Sequence, residues 1–436
     1  MRRERARDGG TDETGNASDE NQIFHARISQ DYAFAPRACL YTAGVARDRR
    51  VAMGWVAISG GVLLLLAGAG SLYMLAVAVA LRRYFARVPA VAPRSDAVTI
   101  LKPLYGAEPK LAANLATFLD QQHDGPIQLI CGVQRSDDPA IAVVEALKAS
   151  RPEADIQLVI DSTRHGASGK ISNLTNMMKH ATHDVAILSD SDIAVAPDYL
   201  AHVLTAFDAP GVGAVTCLYA GRGDAGFWSR VAASGINWQF LPGAVFGVSL
   251  GLAKPCMGST IALRRATLDA IGGFVRFADV LADDHAIGAA VEALDLKIAI
   301  PPMLVVHGSD EADLAEFWRH ELRWNATLRG VVPAATYAVS IIGFPLPIAL
   351  LAIPLVPVPA LVVACFAWCA RLIVVGTVDR IAGRHPAPLF LLPLRDCLSF
   401  GLFIASWFAR SVDWRGVRLR VGADGRVAAG AETSLL

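Results

Sequence analysis

The fold class this sequence predicts is an α/β domain carried between apolar helices at its two ends. Three observations predict it. Two long stretches near the ends carry no charge, the charged fraction is too small for a soluble chain, and the middle alternates short β-rich runs with helical segments. Of 436 residues, 53% are hydrophobic and 18% charged, whereas a soluble domain carries about 25% charge. The surplus apolar content therefore needs a location in lipid.

Residues 1–52 are polar, rich in Arg, Asp and Gly, and aperiodic. They read as disorder, or as sequence ahead of a true start at Met53. The apolar stretch begins too late and runs too long for a cleaved signal peptide. From Met53 to Leu81 there is no charged residue, and a helix crosses the hydrocarbon core with about 20 apolar residues. The stretch 53–81 is therefore expected to be a transmembrane helix. Arg82, Arg83, Arg87 and Arg94 follow it; basic residues mark the cytoplasmic flank of a span, so the large domain is expected to face the cytoplasm.

From 96 to 330 the pattern changes. Candidate strands are AVTILKP (97–103), IQLICGV (127–133), DIQLVID (155–161), DVAILSD (184–190) and VGAVTCL (212–218). Helix-compatible segments at 108–121, 139–150, 170–181 and 197–208 lie between them. This alternation predicts parallel βαβ units, with ligands at the carboxyl ends of the strands. The sequence contains neither GxGxxG nor GxxxxGK[ST], the dinucleotide and P-loop signatures. With 40 basic and 40 acidic residues, no basic face argues for nucleic acid, and no protein partner is predicted. The 7 cysteines form no CxxC pair and no metal-ligand spacing, which fits reduced thiols.

Val331 to Ala370 again lacks any charge, so 331–378 is expected to be a transmembrane hairpin, broken near Pro345, Pro347, Pro354, Pro357 and Pro359. A third apolar segment, 388–409, contains Arg395 and Asp396. An ionisable pair in such a place is a functional site by default, or an ion pair of the two with each other. Arg371, Arg380 and Arg384 before it, and Arg410, Arg415, Arg418 and Arg420 after it, all look cytoplasmic. The segment is therefore transmembrane, re-entrant or interfacial, and 410–436 is a tail.

The polar residues gather at strand ends. Asp190-Ser191-Asp192 follows the fourth strand, and two carboxylates so spaced can share one Mg²⁺ or Mn²⁺ that bridges a diphosphate. The alternative is a helix cap ahead of Pro197. Asp137-Asp138-Pro139 is a second acidic pair, or a cap with Pro139 as first helical residue. Lys170 opens a helix, where an anion is favoured. Asp283-Asp284-His285 begins another, where an Asp in a cleft can act as general base or cap. His320, Arg323 and Trp324 lie in FWRHELRWNATLR, an interfacial aromatic helix or a diphosphate clamp through Arg323.

In this order, LKPLYGAEPKLAANLATFLDQQH, GVQRSDDPAIAVV, GKISNL, LSDSDIAV, GSTIALRRATLDAIGGF, LADDHAIG and HELRW resemble the ceramide glucosyltransferase family of inverting, membrane-bound GT-A glycosyltransferases. That family's bacterial relatives include hopanoid-biosynthesis enzymes. The resemblance covers roughly 53–420, down to the terminal DWRGVRLRV. It implies a nucleotide-diphospho-sugar transferase (GT-A, Rossmann-like) domain in the inner membrane of a bacterium. It implies that Asp138, with Asp137 beside it, binds the uridine part of a UDP-sugar, and that Asp190 lies near the diphosphate and metal. Asp284 falls on the catalytic base, and Arg323 with Trp324 on the RW of a (Q/R)xxRW motif. Two departures stand out: His320 occupies the motif's first position, and Asp192 adds a second metal ligand. Asp284 would take the proton of a membrane-lipid hydroxyl as it attacks the anomeric carbon. Lys170 or Arg323, with the cation, would offset the charge of departing UDP. The acceptor is then ceramide or a hopanoid polyol, and the donor UDP-glucose or UDP-N-acetylglucosamine. A processive polysaccharide synthase and a polyprenyl-phosphate glycosyltransferase are the rivals.

Overall fold

A computed structural model describes residues 53–86, 90–280 and 282–409, together with the backbone of three strands between 411 and 429. The expected disorder of 1–52, with Cys39, and the side chains of the tail lie outside the described residues. Two compact units divide between Val62 and Leu63, and of the first only the opening turns of helix α1 are described. α1 runs Met53–Phe85.

The α/β domain begins at β1 (Val98–Pro103) and continues α2 (Leu111–Leu119), β2 (Ile127–Val133), α3 (Ala140–Ser150), β3 (Asp155–Ile160), α4 (Gly169–Met178), β4 (Val185–Leu188), β5 (Ile193–Ala194), α5 (Tyr199–Ala206), β6 (Val212–Thr216) and β7 (Leu218–Gly223). α6 (Phe227–Gly235) then passes through a π-turn, Ile236–Phe240, into α7 (Leu241–Ser249). β8 (Ile261–Arg264), α8 (Arg265–Ala270), α9 (Asp283–Glu292), β9 (Lys297–Ala299) and β10 (Leu304–Ser309) complete it.

The main sheet has the order β3-β2-β1-β4-β8-β6-β9. Strands β1 to β4 are parallel, as the alternation predicts. The sheet as a whole is not: β8 runs antiparallel to both β4 and β6. The reason is local. α6, the π-turn and α7 precede β8 but cover neither face of the main sheet, so the chain re-enters from the end at which β4 leaves, and antiparallel pairing needs no crossover. Continuous apolar runs such as VTIL and VAIL, buried on both faces, suit central strands and pack against α2, α3 and α5 on one side. α4, α8 and α9 cover the other side. A second sheet, β5-β10-β7, stands beside the carboxyl end of β4.

After β10 come α10 (Leu314–Val331), α11 (Ala334–Val339), α12 (Pro345–Ala352), α13 (Pro357–Ala382) and α14 (Leu392–Ser406). Strands β11 (Ser411–Trp414), β12 (Val417–Val421) and β13 (Val427–Ala429) form a small antiparallel sheet. Among the described residues, Met53–Phe85, Pro357–Ala382 and Leu389–Ser406 are long and apolar enough to cross a membrane. The pair Ala334–Gly343 and Pro345–Ala352 adds a fourth if its 74° bend is spanned. That bend falls at Phe344, where the residue ahead of a proline is pushed out of helical geometry.

Arg395 and Asp396 do not pair with each other. Neighbours on a helix point about 100° apart, so each finds its own partner. Arg395 Nη2 donates to Glu321 of α10 at 2.8 Å. Asp396 accepts from Arg371 of α13 at 2.9 and 2.7 Å.

Candidate active site

The parallel strands β1, β2 and β4 deliver their trailing loops to one edge of the sheet, and the antiparallel β8 starts there. Leu188 pairs with Ile261, so the residues leaving β4 lie alongside those approaching β8. Gly258 is thereby brought against Asp190. A Cβ on Gly258 would sit 3.1 Å from Asp190 Oδ2, 3.2 Å from Lys170 Nζ and 3.7 Å from Asp284 Oδ2. Three chemistry-bearing side chains from three elements therefore meet over one glycine backbone.

Lys170 is the hub. It stands in the first turn of α4, which Ser168 caps by accepting from Ile171 N–H at 3.3 Å. Its Nζ lies 2.7 Å from Asp190 Oδ1 and 3.6 Å from Asp283 Oδ2. Burial works against its charge, yet Asp190 and Asp283 hold its pKa above the ordinary lysine value. Asp284 accepts from Gly258 N–H at 3.2 Å and from His285 N–H at 2.7 Å. Its capping and site-facing roles thus coexist. Burial raises the Asp284 carboxyl against the pull of Lys170. Burial pushes the neighbouring Asp283 up to about 6, again opposed by Lys170, with Asp284 adding to the rise.

Beneath them, Lys102 of β1 is fully buried. It donates to Asp190 O at 2.8 Å and Ser189 Oγ at 3.1 Å, with its Nζ 3.6 Å from the centre of the Phe118 ring. Burial drags its pKa down to about 7. It pins the loop that presents Asp190 and Asp192. A lysine inside an otherwise apolar strand was its visible signal.

Asp192 turns the other way. Its Oδ2 lies 3.3 Å from His307 Nε2 of β10, and its Oδ1 is buried without a partner. The His307 ring meets Tyr219 at 5.4 Å and the Trp324 edge at 5.8 Å. Trp324 lies 4.7 Å from His320, whose Nδ1 pairs with Glu311. His320 holds the Glu311 carboxyl below its usual range although burial opposes this. Arg323 is half-buried on the same helix, which Asp313 caps through Glu316 N–H at 2.8 Å.

Asp138 is 8% exposed and accepts from Gly106 N–H at 3.0 Å and Ala140 N–H at 2.9 Å, tying the loop after β1 to the start of α3. Asp137 is not part of the cluster: it is exposed and paired with Arg135 at 2.5 Å. Among the described residues no group of three or more His, Cys, Asp or Glu is arranged to hold a metal ion. The orphaned Oδ1 of Asp192 is a hard oxygen donor that fits one position of a coordination sphere, while Asp190 Oδ1 is engaged by Lys170. Mg²⁺ commonly takes just one or two carboxylates and completes its shell with phosphate and water.

The family model for glycosyl transferase family 21 matches residues 62–427. Ceramide glucosyltransferase 1 of Caenorhabditis elegans is 24% identical over 234 residues, 53% of this chain and 50% of that protein. Ceramide glucosyltransferase 3 of the same organism is 27% identical over 241 residues, 52% and 49% of the two. The chain thus spans about half the length of these relatives. Among solved structures, a mannosyltransferase from Pyrobaculum calidifontis in complex with GDP-Man and Mn²⁺ is 19% identical, with a TM-score of 0.47 over 82% of this chain and 98% of that one.

Proposed function

The chain belongs to glycosyl transferase family 21, and from that premise we propose that it is a membrane-bound inverting transferase moving a hexose from a UDP-sugar to a lipid hydroxyl. The observation that carries the reading is the meeting of Asp284, Asp190 and Lys170 over Gly258. A general base and the groups that receive a diphosphate need to be within one sugar of each other, and the closeness of all three side chains to Gly258 supports these roles.

In this reading Asp284 removes the proton of the attacking lipid hydroxyl, its raised pKa moving it toward the range where a carboxylate is an effective base. The hydroxyl oxygen bonds the anomeric carbon as the bond to UDP breaks. Lys170 faces the departing diphosphate and offsets its charge, with Arg323 and Trp324 of α10 closing that side and His320 in the place of a Gln or Arg. Asp138 and its loop contact the uridine. Asp190 and Asp192 would hold a Mg²⁺ or Mn²⁺, which supplies Lewis-acid stabilisation of the leaving group. The apolar helices keep the acceptor in the bilayer, since exposing each CH₂ to water costs about 0.8 kcal/mol. Arg82, Arg83 and Arg94 after α1 support a cytoplasmic orientation of the domain.

The test is to incubate membranes containing the protein with radiolabelled UDP-glucose or UDP-N-acetylglucosamine and ceramide, a hopanoid polyol or a polyprenyl phosphate. One label on one hydroxyl lipid is expected, lost with EDTA and restored by Mg²⁺ or Mn²⁺. Label on the polyprenyl phosphate, products longer than one added sugar, or no labelled lipid at all would overturn the proposal.

A further inference from the structure

The catalytic domain carries a further uncharged stretch that belongs to none of the spans. From Val231 to Ala253, between Arg230 and Lys254, no residue is charged. α6, the π-turn and α7 follow one another through it without a break, and their neighbours are the membrane helices. Leu241 and Val245 share a buried cluster with Met74 and Val77 of α1 and Val374 and Val378 of α13. Phe246 meets the Tyr73 ring edge-on at 5.0 Å. Trp238 O accepts from Arg371 of α13 at 2.8 Å, and Gln239 Nε2 donates at 3.1 Å to Gly343 O, at the bend between α11 and α12. Gly70 of α1 lies so close to Ile342 and Pro345, beside that bend, that a Cβ would collide.

α1 supplies a scale of depth for these contacts. Arg82 and Arg83 mark where a span meets the headgroups. Tyr73 is nine residues inside Arg82 and Gly70 twelve, about 13 and 18 Å at the rise of an α-helix. The headgroup layer takes only about 5–8 Å on each side, so both levels lie past it. Phe246 and Gln239, which sit at those levels, are therefore at hydrocarbon depth. Lipid offers no hydrogen bonds there, and Gln239 meets the carbonyl that the bend at Phe344 frees. The end of α7 is closed in the same spirit. Gly251 takes φ 67, and Leu252 N–H donates to Gly247 O at 2.9 Å, a cap that satisfies the last carbonyls of the helix. Leu250 and Leu252 are left pointing outward, 57% and 76% exposed.

We propose that residues 231–253 are a re-entrant element of the catalytic domain, leaving it after β7 and returning to it at β8, whose tip at Leu250 and Leu252 lies among the acyl chains of the leaflet facing that domain. The occupant of this apolar surface is lipid and not a second copy of the chain, because the surface adjoins α1 at Tyr73, whose neighbour Leu72 is itself 61% exposed. Gly258 follows Ala253 by five residues. The element thus ties the corner where Asp190, Lys170 and Asp284 meet to the height of the bilayer. The inference needs only that α1 and α13 lie in a membrane, and it stands whichever sugar and acceptor the chain uses.

The experiment places the photo-cross-linker p-benzoyl-phenylalanine, one position at a time, at Leu250, Leu252, Leu72 and Ile160 of the full chain in phospholipid nanodiscs, and reads the adducts by mass spectrometry. Ile160 ends the edge strand β3 and is 49% exposed. Phospholipid adducts are expected at Leu250 and Leu252 at the level found at Leu72, and at background level at Ile160. A charge in hydrocarbon is disfavoured by about a hundredfold, so Leu252→Asp should lower the Leu250 adduct about tenfold or more and leave the Leu72 adduct unchanged, the sign that the helices still fold. Adducts at Leu250 and Leu252 no higher than at Ile160, cross-links to a second chain in place of lipid, or a Leu250 adduct indifferent to Leu252→Asp would overturn the proposal. Should Leu252→Asp fail to fold, the four single positions decide by themselves.

Discussion

Asp284→Asn is expected to lower sugar transfer by about 10²- to 10⁴-fold, the usual contribution of a positioned base, while UDP-sugar binding persists. The amide oxygen can still accept from one of the two N–H groups that Asp284 Oδ2 and Oδ1 take separately, Gly258 and His285, and losing the other costs about 1 kcal/mol. The fold at the start of α9 should therefore hold, and the loss would be one of proton removal. Lys170 loses one of the carboxylates that surround it, but Asp190 at 2.7 Å remains its nearest partner, so the donor side is little disturbed. The measurement is kcat for lipid glycosylation beside a donor-binding titration. Retained activity would mean an acceptor that needs no base, such as a phosphate, and would sink the hydroxyl mechanism.

Arg371→Leu should destabilise the protein by about 3–5 kcal/mol, the cost of leaving a buried partner charge uncompensated. Arg371 is 1% exposed and Asp396 2%. The guanidinium binds both Asp396 oxygens at 2.9 and 2.7 Å and the Trp238 carbonyl at 2.8 Å. One side chain thus joins α13, α14 and the π-turn. Replacing both partners, Arg371→Leu with Asp396→Leu, should recover most of the loss, because a well-packed apolar pair is often as stable as the ion pair it replaces. Thermal unfolding of the purified single and double variants, read as a mutant cycle, checks this. Singles as stable as wild type would show that the pair is solvated and not structural.

Much of the α/β layer was legible because its information is local. The runs AVTILKP, IQLICGV, DIQLVID and DVAILSD each carry the period of their own element, and β1 to β4 appear where those runs lie. The DSD after VAIL was visible for the same reason. What escaped was long-range. β8 is four residues long, and nothing in IALR declares that it inserts antiparallel between β4 and β6. With β8 went Gly258, whose role exists only once residues 190, 170 and 284 meet. His307 and Glu311 became site residues only through Asp192 and His320. The Arg395–Glu321 pair is separated by 74 positions, and adjacency in sequence pointed instead to the neighbouring Asp396. Helix geometry forbids that neighbour pairing, and the same rule could have excluded it beforehand.

A single displacement at one corner of the sheet, with Asp284 as base and UDP as leaving group, fixes the stereochemistry of the product. The most direct test is the anomeric configuration of the glycolipid made from an α-linked UDP-sugar, read from the proton coupling at the anomeric position by NMR. A β-linked product is expected throughout the time course. An α-linked product would contradict it, since retention needs a second displacement or a different geometry of attack.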